Sequence, residues 1–358
     1  MQPLAGIVVL DFTTLLPGPL ASLMLAEAGA EVIKIERPGG EDMRRFPPMK
    51  DGESAAFAML NRGKHGLTLD LKSEANREKL KPLIARADIV LEQFRPGVMA
   101  GFGLGYDDMR AINPRIIYCE ISGYGQDGPR AGEAGHDLNY IGATGLLDLQ
   151  PGPRERPTVP PALIADIAGG SLPAVINILL ALRSRDKTGE GCKLDIAMTD
   201  AMFTFAWYAL AIGTATGRFP KAGELMLAGG SPRYQLYPAK DGRLVACGAL
   251  EQKFWEAFTA AIDLPSDLAD DRRDPTATRD AIATLIAART SDDWRPIFAK
   301  ADCCATIVAP LEEAIRDPHF VARGLFAHEV QVGQGAVPAL PVPIAPAFRG
   351  KAGKKKAP

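Results

Sequence analysis

The sequence predicts an α/β protein, with a Rossmann-like parallel sheet in a large domain and a smaller α+β domain beside it. Three observations predict this. Short apolar runs such as Gly6–Phe12 (GIVVLDF) and Asp88–Phe94 (DIVLEQF) have the length and near-continuous hydrophobicity of parallel strands covered on both faces. Helical segments separate them, and strand–helix–strand alternation winds a sheet through right-handed crossovers. After Met198 the pattern changes to a hairpin followed by successive helices.

Each element follows from its residues. Gly6–Phe12 runs into the turn Thr13–Pro19, a helix over Leu20–Ala28 closed by Gly29, and a second strand, Glu31–Glu36. Glu36 ends that strand where an acid would hold a ribose in a dinucleotide-binding domain. The first turn, however, has no GxGxxG and carries two prolines, so the backbone approach that a pyrophosphate requires is missing. Leu67–Leu71 alternates as a strand, Glu74–Ala87 reads as a helix, and Asp88–Phe94 is a further strand ending in Arg95-Pro96-Gly97. A short helix, Tyr106–Ile112, and the strand Arg115–Ile121 follow. Pro151–Pro161 contains five prolines and is an irregular connection. A helix begins near Asp166 and runs to about Arg185, before the strand Gly191–Ile196. Ala197–Gly213 is a helix rich in Met and aromatic residues, suited either to bedding an acyl tail or to core and subunit packing. Tyr234–Pro238 and Arg243–Gly248 flank the hairpin turn Ala239-Lys240-Asp241-Gly242. A helix opens at Glu251. The expected domains are residues 1–197 with 306–358, and 198–305. The basic tail Lys351–Pro358 is expected to be disordered.

Composition narrows the function. With 47% hydrophobic and 23% charged residues and a net charge of −2, the chain has the profile of a soluble globular protein and no field that favours nucleic acid. Five cysteines, an odd number without CxxC spacing, argue against a disulfide framework and against a zinc site, and fit a reducing, cytoplasmic or organelle-matrix setting. The N-terminus lacks a basic region and enters a strand directly, so no signal peptide is expected. The apolar runs are expected to be too interrupted to cross a bilayer, so neither a membrane nor a nucleic-acid partner is expected.

One stretch carries the chemistry: Ala134-Gly135-His136-Asp137-Leu138-Asn139-Tyr140, which holds one of only four histidines. It follows a glycine-rich loop, Ser122–Pro129. Thirty residues beyond His136, Asp166 stands in Ala165-Asp166-Ile167-Ala168-Gly169-Gly170. A histidine and an aspartate joined by the fold form an acid/base pair when their surroundings set their proton affinities apart. Read alone, His136 also suits a tight structural loop and Asp166 a helix N-cap.

In order and spacing, LPGP (Leu16–Pro19), ERPGG (Glu36–Gly40), NRGK (Asn61–Lys64), FRPGV (Phe94–Val98), SGYGQDGP (Ser122–Pro129), AGHDLNY (Ala134–Tyr140), ADIAGG (Ala165–Gly170) and GALEQKFW (Gly248–Trp255) carry a resemblance. The chain resembles CoA-transferase family III (the CaiB/BaiF fold), and within it the α-methylacyl-CoA racemase branch. That resemblance implies an interlocked homodimer, with each site formed between the large domain of one subunit and the small domain of the other. It implies an isomerase of fatty-acid and lipid metabolism that acts on 2-methylacyl-CoA, with CoA carried in the substrate thioester and no other cofactor or metal. His136 and Asp166 become the proton-transfer pair on opposite faces of the α-carbon, and Glu251 a support for the histidine. Arg37, Asn61, Arg62, Lys64, Arg95, Asp137 and Tyr140 become substrate- or CoA-binding residues, since Arg suits bidentate phosphate contacts. Tyr140 serves equally well as a core residue. Backbone N–H groups at the start of the Asp166 helix, with close approach allowed by Gly169 and Gly170, are the expected enolate donors. Two rivals remain. One is a CoA-transferase with Asp166 as the nucleophile, forming an aspartyl-CoA thioester; the other is a non-catalytic acyl-CoA binder.

Overall fold

The computed structural model describes residues 2–153 and 155–358, and the chain divides into two compact units. Met1–Thr144, Pro160–Phe205 and Asp317–Pro358 form the first; Gly145–Val159 and Ala206–Arg316 form the second. The proline-rich segment was expected in the first unit; its residues 151–159 go with the second, where Pro151 lies against the backbone at Gly223 and Gly229, while Pro160 and Pro161 stay with the first.

The first unit is built on a six-stranded sheet. Its strands are β1 (Val8–Asp11), β2 (Glu31–Glu36), β3 (His65–Thr68), β4 (Ile89–Glu92), β5 (Ile117–Ser122) and β6 (Cys192–Ala197). The spatial order is β3-β2-β1-β4-β5-β6, and every pairing is parallel. Val9, Leu10, Val32, Ile89, Val90, Leu91, Ile117 and Tyr118 are fully enclosed, as strands covered by helices on both faces must be. Each such side chain contributes about 1.5–3 kcal/mol by leaving water. The order of connection reverses between β1 and β4. Their carboxyl ends therefore splay into a crevice, which is where open α/β sheets take ligands.

The first helix, α1 (Pro17–Glu27), begins earlier than expected. Pro17 and Pro19 fall in its first turn, where a missing N–H costs nothing and the fixed φ already suits a helix. Every residue of α1 is buried, because the sheet, the helix Ala55–Asn61 and the helix Leu172–Thr188 enclose it. The expected helix Glu74–Ala87 is two, Glu74–Glu78 and Lys81–Arg86, with Pro82 in the first turn of the second. The expected helix after Ala197 likewise breaks at Ala206, into Met198–Phe205 and Trp207–Thr216.

The segment around Asp166 departs most from expectation. Ala165–Ser171 is a π-helical turn, and the α-helix Leu172–Thr188 follows it. Pro173 sits at the start of that α-helix. Proline lacks the N–H that would bond back to Gly169 and its ring crowds that carbonyl, so regular α-geometry cannot continue upstream through it. Ala165–Thr188 is, by length and composition, one helix apolar enough to cross a membrane, contrary to the expectation of interrupted runs. In this fold it lies along the sheet and packs on β5, β6 and α1.

The C-terminal segment returns to the first unit. Glu329–Val332 pairs antiparallel with Gly335–Pro338 and parallel with Lys354–Lys355. The tail expected to be disordered is docked: Gly63 donates its N–H to the Lys356 carbonyl at 2.8 Å, and Lys355 Nζ reaches Glu27 Oε1 at 3.2 Å. Glu27 is only 1% exposed and already faces Arg62 at 3.1 Å. A buried carboxylate between two cations gives the tail a fixed place that its composition does not show.

The second unit holds a three-stranded antiparallel sheet in the order Ala305–Ile307, Leu244–Gly248, Tyr234–Pro238. Trp255, Phe258, Ile282, Ile286, Trp294 and Phe298 fill its core. The hairpin turn closes as expected: Gly242 adopts φ +80°, and Asp241 accepts hydrogen bonds from both Ser291 N–H and its hydroxyl.

Candidate active site

A cavity of about 500 Å³ opens at the carboxyl ends of β1, β4 and β5, at the switch point of the sheet. Thr14, Leu15 and Pro17 line it from the turn after β1, and Gln93, Phe94, Arg95 and Pro96 from the loop after β4. The loop after β5 supplies Gly135, His136, Asn139 and Tyr140, and Asp166 completes the wall. The histidine and aspartate that stood out in the sequence thus face one space.

The local structure explains the placement of His136. It precedes the helix Asp137–Ala143, and its backbone N–H donates to Asn139 Oδ1 at 3.0 Å, which closes the helix start and turns the imidazole outward. The ring of Tyr140 props the same loop. Its hydroxyl donates to the Gly135 carbonyl at 2.6 Å, and its face meets Tyr124 edge-on at 5.4 Å. A Cβ on Gly135 would come within 2.6 Å of that ring and one on Gly123 within 2.4 Å, so only glycine fits at either position. Tyr140 is therefore both core and cavity wall. Burial, with Asp166 nearby, pushes its phenol up to about 12, so it stays a hydroxyl.

Asp166 lies in the π-turn and is half-buried. Burial, reinforced by the neighbouring Asp137 carboxylate and opposed by His136, pushes its carboxyl up to about 6. Among the described residues no donor reaches that carboxylate, which leaves it free to meet a ligand. Asp137 is 4% exposed and does not line the cavity; its Oδ1 accepts the Asp166 N–H at 2.9 Å. It is a strut between the His136 and Asp166 segments and is buried away from the cavity, where a substrate contact was expected. The expected enolate donors are also corrected. The Asp166 N–H serves Asp137, and the Ile167 N–H serves the Leu163 carbonyl. A Cβ on Gly169 would stand 2.5 Å from the Met198 carbonyl oxygen, and one on Gly170 3.1 Å from the Met198 and Pro17 side chains. Those glycines admit neighbouring backbone and side chains, not substrate.

The expected anchor residues separate into two groups. Arg95 is exposed on the cavity rim. Arg37 is 62% exposed, holds Asp42 and the Gly40 carbonyl, and stands at the mouth of a second, apolar cavity of about 360 Å³ lined by Phe12, Leu69, Phe94 and Phe102. Asn61, Arg62 and Lys64, in contrast, are buried and bonded to other parts of the protein, so none of them presents its head group at the surface. Arg62 bonds Glu27 and the carbonyls of Met59 and Leu340. Lys64 Nζ donates to Asp11 at 3.1 Å, to the Pro19 carbonyl at 3.0 Å and to Asn61 at 2.8 Å. Burial pushes the Lys64 ammonium down to about 8, against the pull of Asp11. Burial also acts to raise the Asp11 carboxyl, but Lys64 and Lys34 outweigh it and hold that group below the usual carboxylate range.

Glu251 belongs to the second unit, where it is exposed and precedes the helix Gln252–Ala261 without capping it. Sequence reasoning missed Gln93, Thr14 and Leu15. The available signal was position: each lies just past the end of a central strand. Among the described residues, no group of three or more His, Cys, Asp or Glu is placed to hold a metal ion.

Comparison with known proteins adds the context. The profile of CoA-transferase family III matches residues 4–358. Human alpha-methylacyl-CoA racemase is 35% identical over 97% of this chain and 89% of its own. The acetyl-CoA:oxalate CoA-transferase of Acetobacter aceti is 32% identical over 96% of this chain and 89% of its own. A crystal structure of a CAIB/BAIF family protein from Brucella suis superposes with a TM-score of 0.80 at 34% identity, covering 96% of this chain and 92% of that one.

Proposed function

The chain belongs to CoA-transferase family III and is an enzyme of that superfamily, and on this footing we propose that it interconverts the epimers of 2-methylacyl-CoA thioesters. One observation carries the reading: His136 and Asp166 line a single cavity, and the carboxyl titrates near neutrality, at about 6. A proton α to a thioester is far more acidic than one α to a carboxylate, so loading the acid onto CoA makes the α-carbon reactive. One group removes the proton from one face, and the other returns a proton to the opposite face through an enolate. An acid near pH 6 serves either role at physiological pH. CoA enters and leaves as part of the thioester, held through Arg37 and Arg95, and no other cofactor takes part. The proposal includes a homodimer, which light scattering in solution checks.

Incubating one enantiomer of a 2-methylacyl-CoA in deuterated water tests the reading. Deuterium at the α-carbon, loss of optical purity and no need for a second acid support it. A panel of acyl-CoA thioesters then defines the acyl group. Glu251→Gln tests the support role: it should lower kcat and leave CoA binding unchanged.

The similarity to CoA-transferases favours a second reading, in which Asp166 attacks the thioester as a nucleophile. Under it, the Asp166 carboxylate forms a mixed anhydride with the acyl group and releases CoA thiolate; the thiolate then converts the anhydride to an aspartyl-CoA thioester and frees the first acid. Hydroxylamine trapping at Asp166, or transfer of CoA to a free acid, would establish that reading and displace the first.

A further inference from the structure

We propose that Gln93 and Glu41 are positioning residues: they clamp the turn after β1 so that it forms a fixed wall of the catalytic cavity instead of an anion cradle. In a doubly wound sheet this turn ordinarily presents free N–H groups at a helix N-terminus, where phosphate binds. Here the protein's own side chains occupy three of them. Thr13 N–H donates to Asp11 Oδ1 at 2.9 Å, Leu15 N–H to Glu41 Oε2 at 2.7 Å, and Gly18 N–H to Gln93 Oε1 at 2.8 Å. The carbonyls are held as well: Lys34 Nζ donates to Thr13 O at 2.9 Å and Gln93 Nε2 to Thr14 O at 2.5 Å.

The clamp is anchored in the sheet. Lys34, on β2, is fully buried and meets Glu41 at 2.7 Å, with Glu41 only 2% exposed. Gln93 follows directly on β4 and spans the switch point, tying one lip of the crevice to the other with both ends of its amide. Between these ties Leu15 stands at φ +61°, a left-handed conformation that a leucine adopts only when its surroundings impose it. Thr14, Leu15, Pro17 and Gln93 all line the cavity, so the clamp fixes one of its walls before any ligand arrives. With Thr13, Leu15 and Gly18 already donating to side chains of the protein, the turn has few amides left to offer an anion, so the proposal places the CoA diphosphate elsewhere.

Hydrogen–deuterium exchange of the ligand-free protein tests this without any activity, so the result stands apart from the racemase reading. Gln93→Leu removes both amide bonds. It should speed exchange in peptide 12–20 about tenfold while exchange elsewhere and the melting temperature stay near wild type. Gln93→Glu keeps the acceptor for Gly18 and loses the donor to Thr14, and should fall between the two; it also serves if the leucine variant does not fold. In the deuterium-incorporation assay, which does rest on the proposed function, Gln93→Leu should lower kcat more than it raises KM, with partial recovery in Gln93→Glu. Unchanged exchange of peptide 12–20 in folded variants overturns the clamp. Slower exchange of that peptide in wild type on adding inorganic pyrophosphate overturns the exclusion of anions.

Discussion

Asp166 takes its proton affinity from burial and from one adjacent carboxylate, which makes its titration testable. Activity should rise through about pH 6 as the group loses its proton. Asp137→Asn removes the neighbouring charge but keeps an oxygen for the Asp166 N–H, so the acid limb of the kcat/KM profile should move to lower pH. His136→Ala and Asp166→Ala should each lower α-proton exchange by about 10²–10⁴-fold and leave CoA binding nearly intact, as read by calorimetry. The sequence singled out these two residues, which line one cavity, because a histidine in a glycine-rich loop and an aspartate ahead of a glycine pair stand out chemically. It misassigned Arg62 and Lys64, since a basic glycine turn reads as an exposed anchor and nothing local reveals that Glu27 and Asp11 lie beneath it. Lys64→Met should therefore destabilise the fold by about 3–5 kcal/mol, the cost of stranding a buried charge, measured by chemical denaturation.

At the scale of elements, strands were the most legible feature. Glu31–Glu36 and Tyr234–Pro238 occupy their expected residues, because buried parallel strands and hairpins leave strong hydrophobic and turn signals. Helix interiors were less legible. Pro82 splits one helix, and Pro173 marks where α-geometry gives way to the π-turn that carries Asp166. Both prolines are visible in the sequence, but tertiary packing decides whether a proline starts, splits or widens a helix. The loop after β5 depends on close contact between Tyr140 and two glycines. Gly135→Ala would force the ring aside and carry His136 with it. Exchange activity should fall at least tenfold while the far-ultraviolet dichroism stays unchanged.

At the scale of the whole molecule, the parallel sheet was legible, and the docked C-terminal tail was not. Its partner, Glu27, lies 328 residues away in the chain. Burial acts to raise the Glu27 carboxyl, but Lys355 and Arg62 hold it below its ordinary 4.5. A depressed carboxyl stabilises the fold above its unfolded pKa, and that contribution is lost as pH falls through the folded value. Lys355→Met should cost about 1.5–3 kcal/mol at pH 7 and much less in acid below the folded value, as read by melting temperature across pH. The reversal of strand order has a consequence of its own. Arg37 belongs to the half of the sheet led by β2 and β3, whereas His136 and Asp166 come from the chain between β5 and β6. Of the two arginines proposed to hold CoA, only Arg37 rides on that half, so a chimera that borrows it from a relative would change one handle and leave Arg95 and the proposed proton-transfer pair in place.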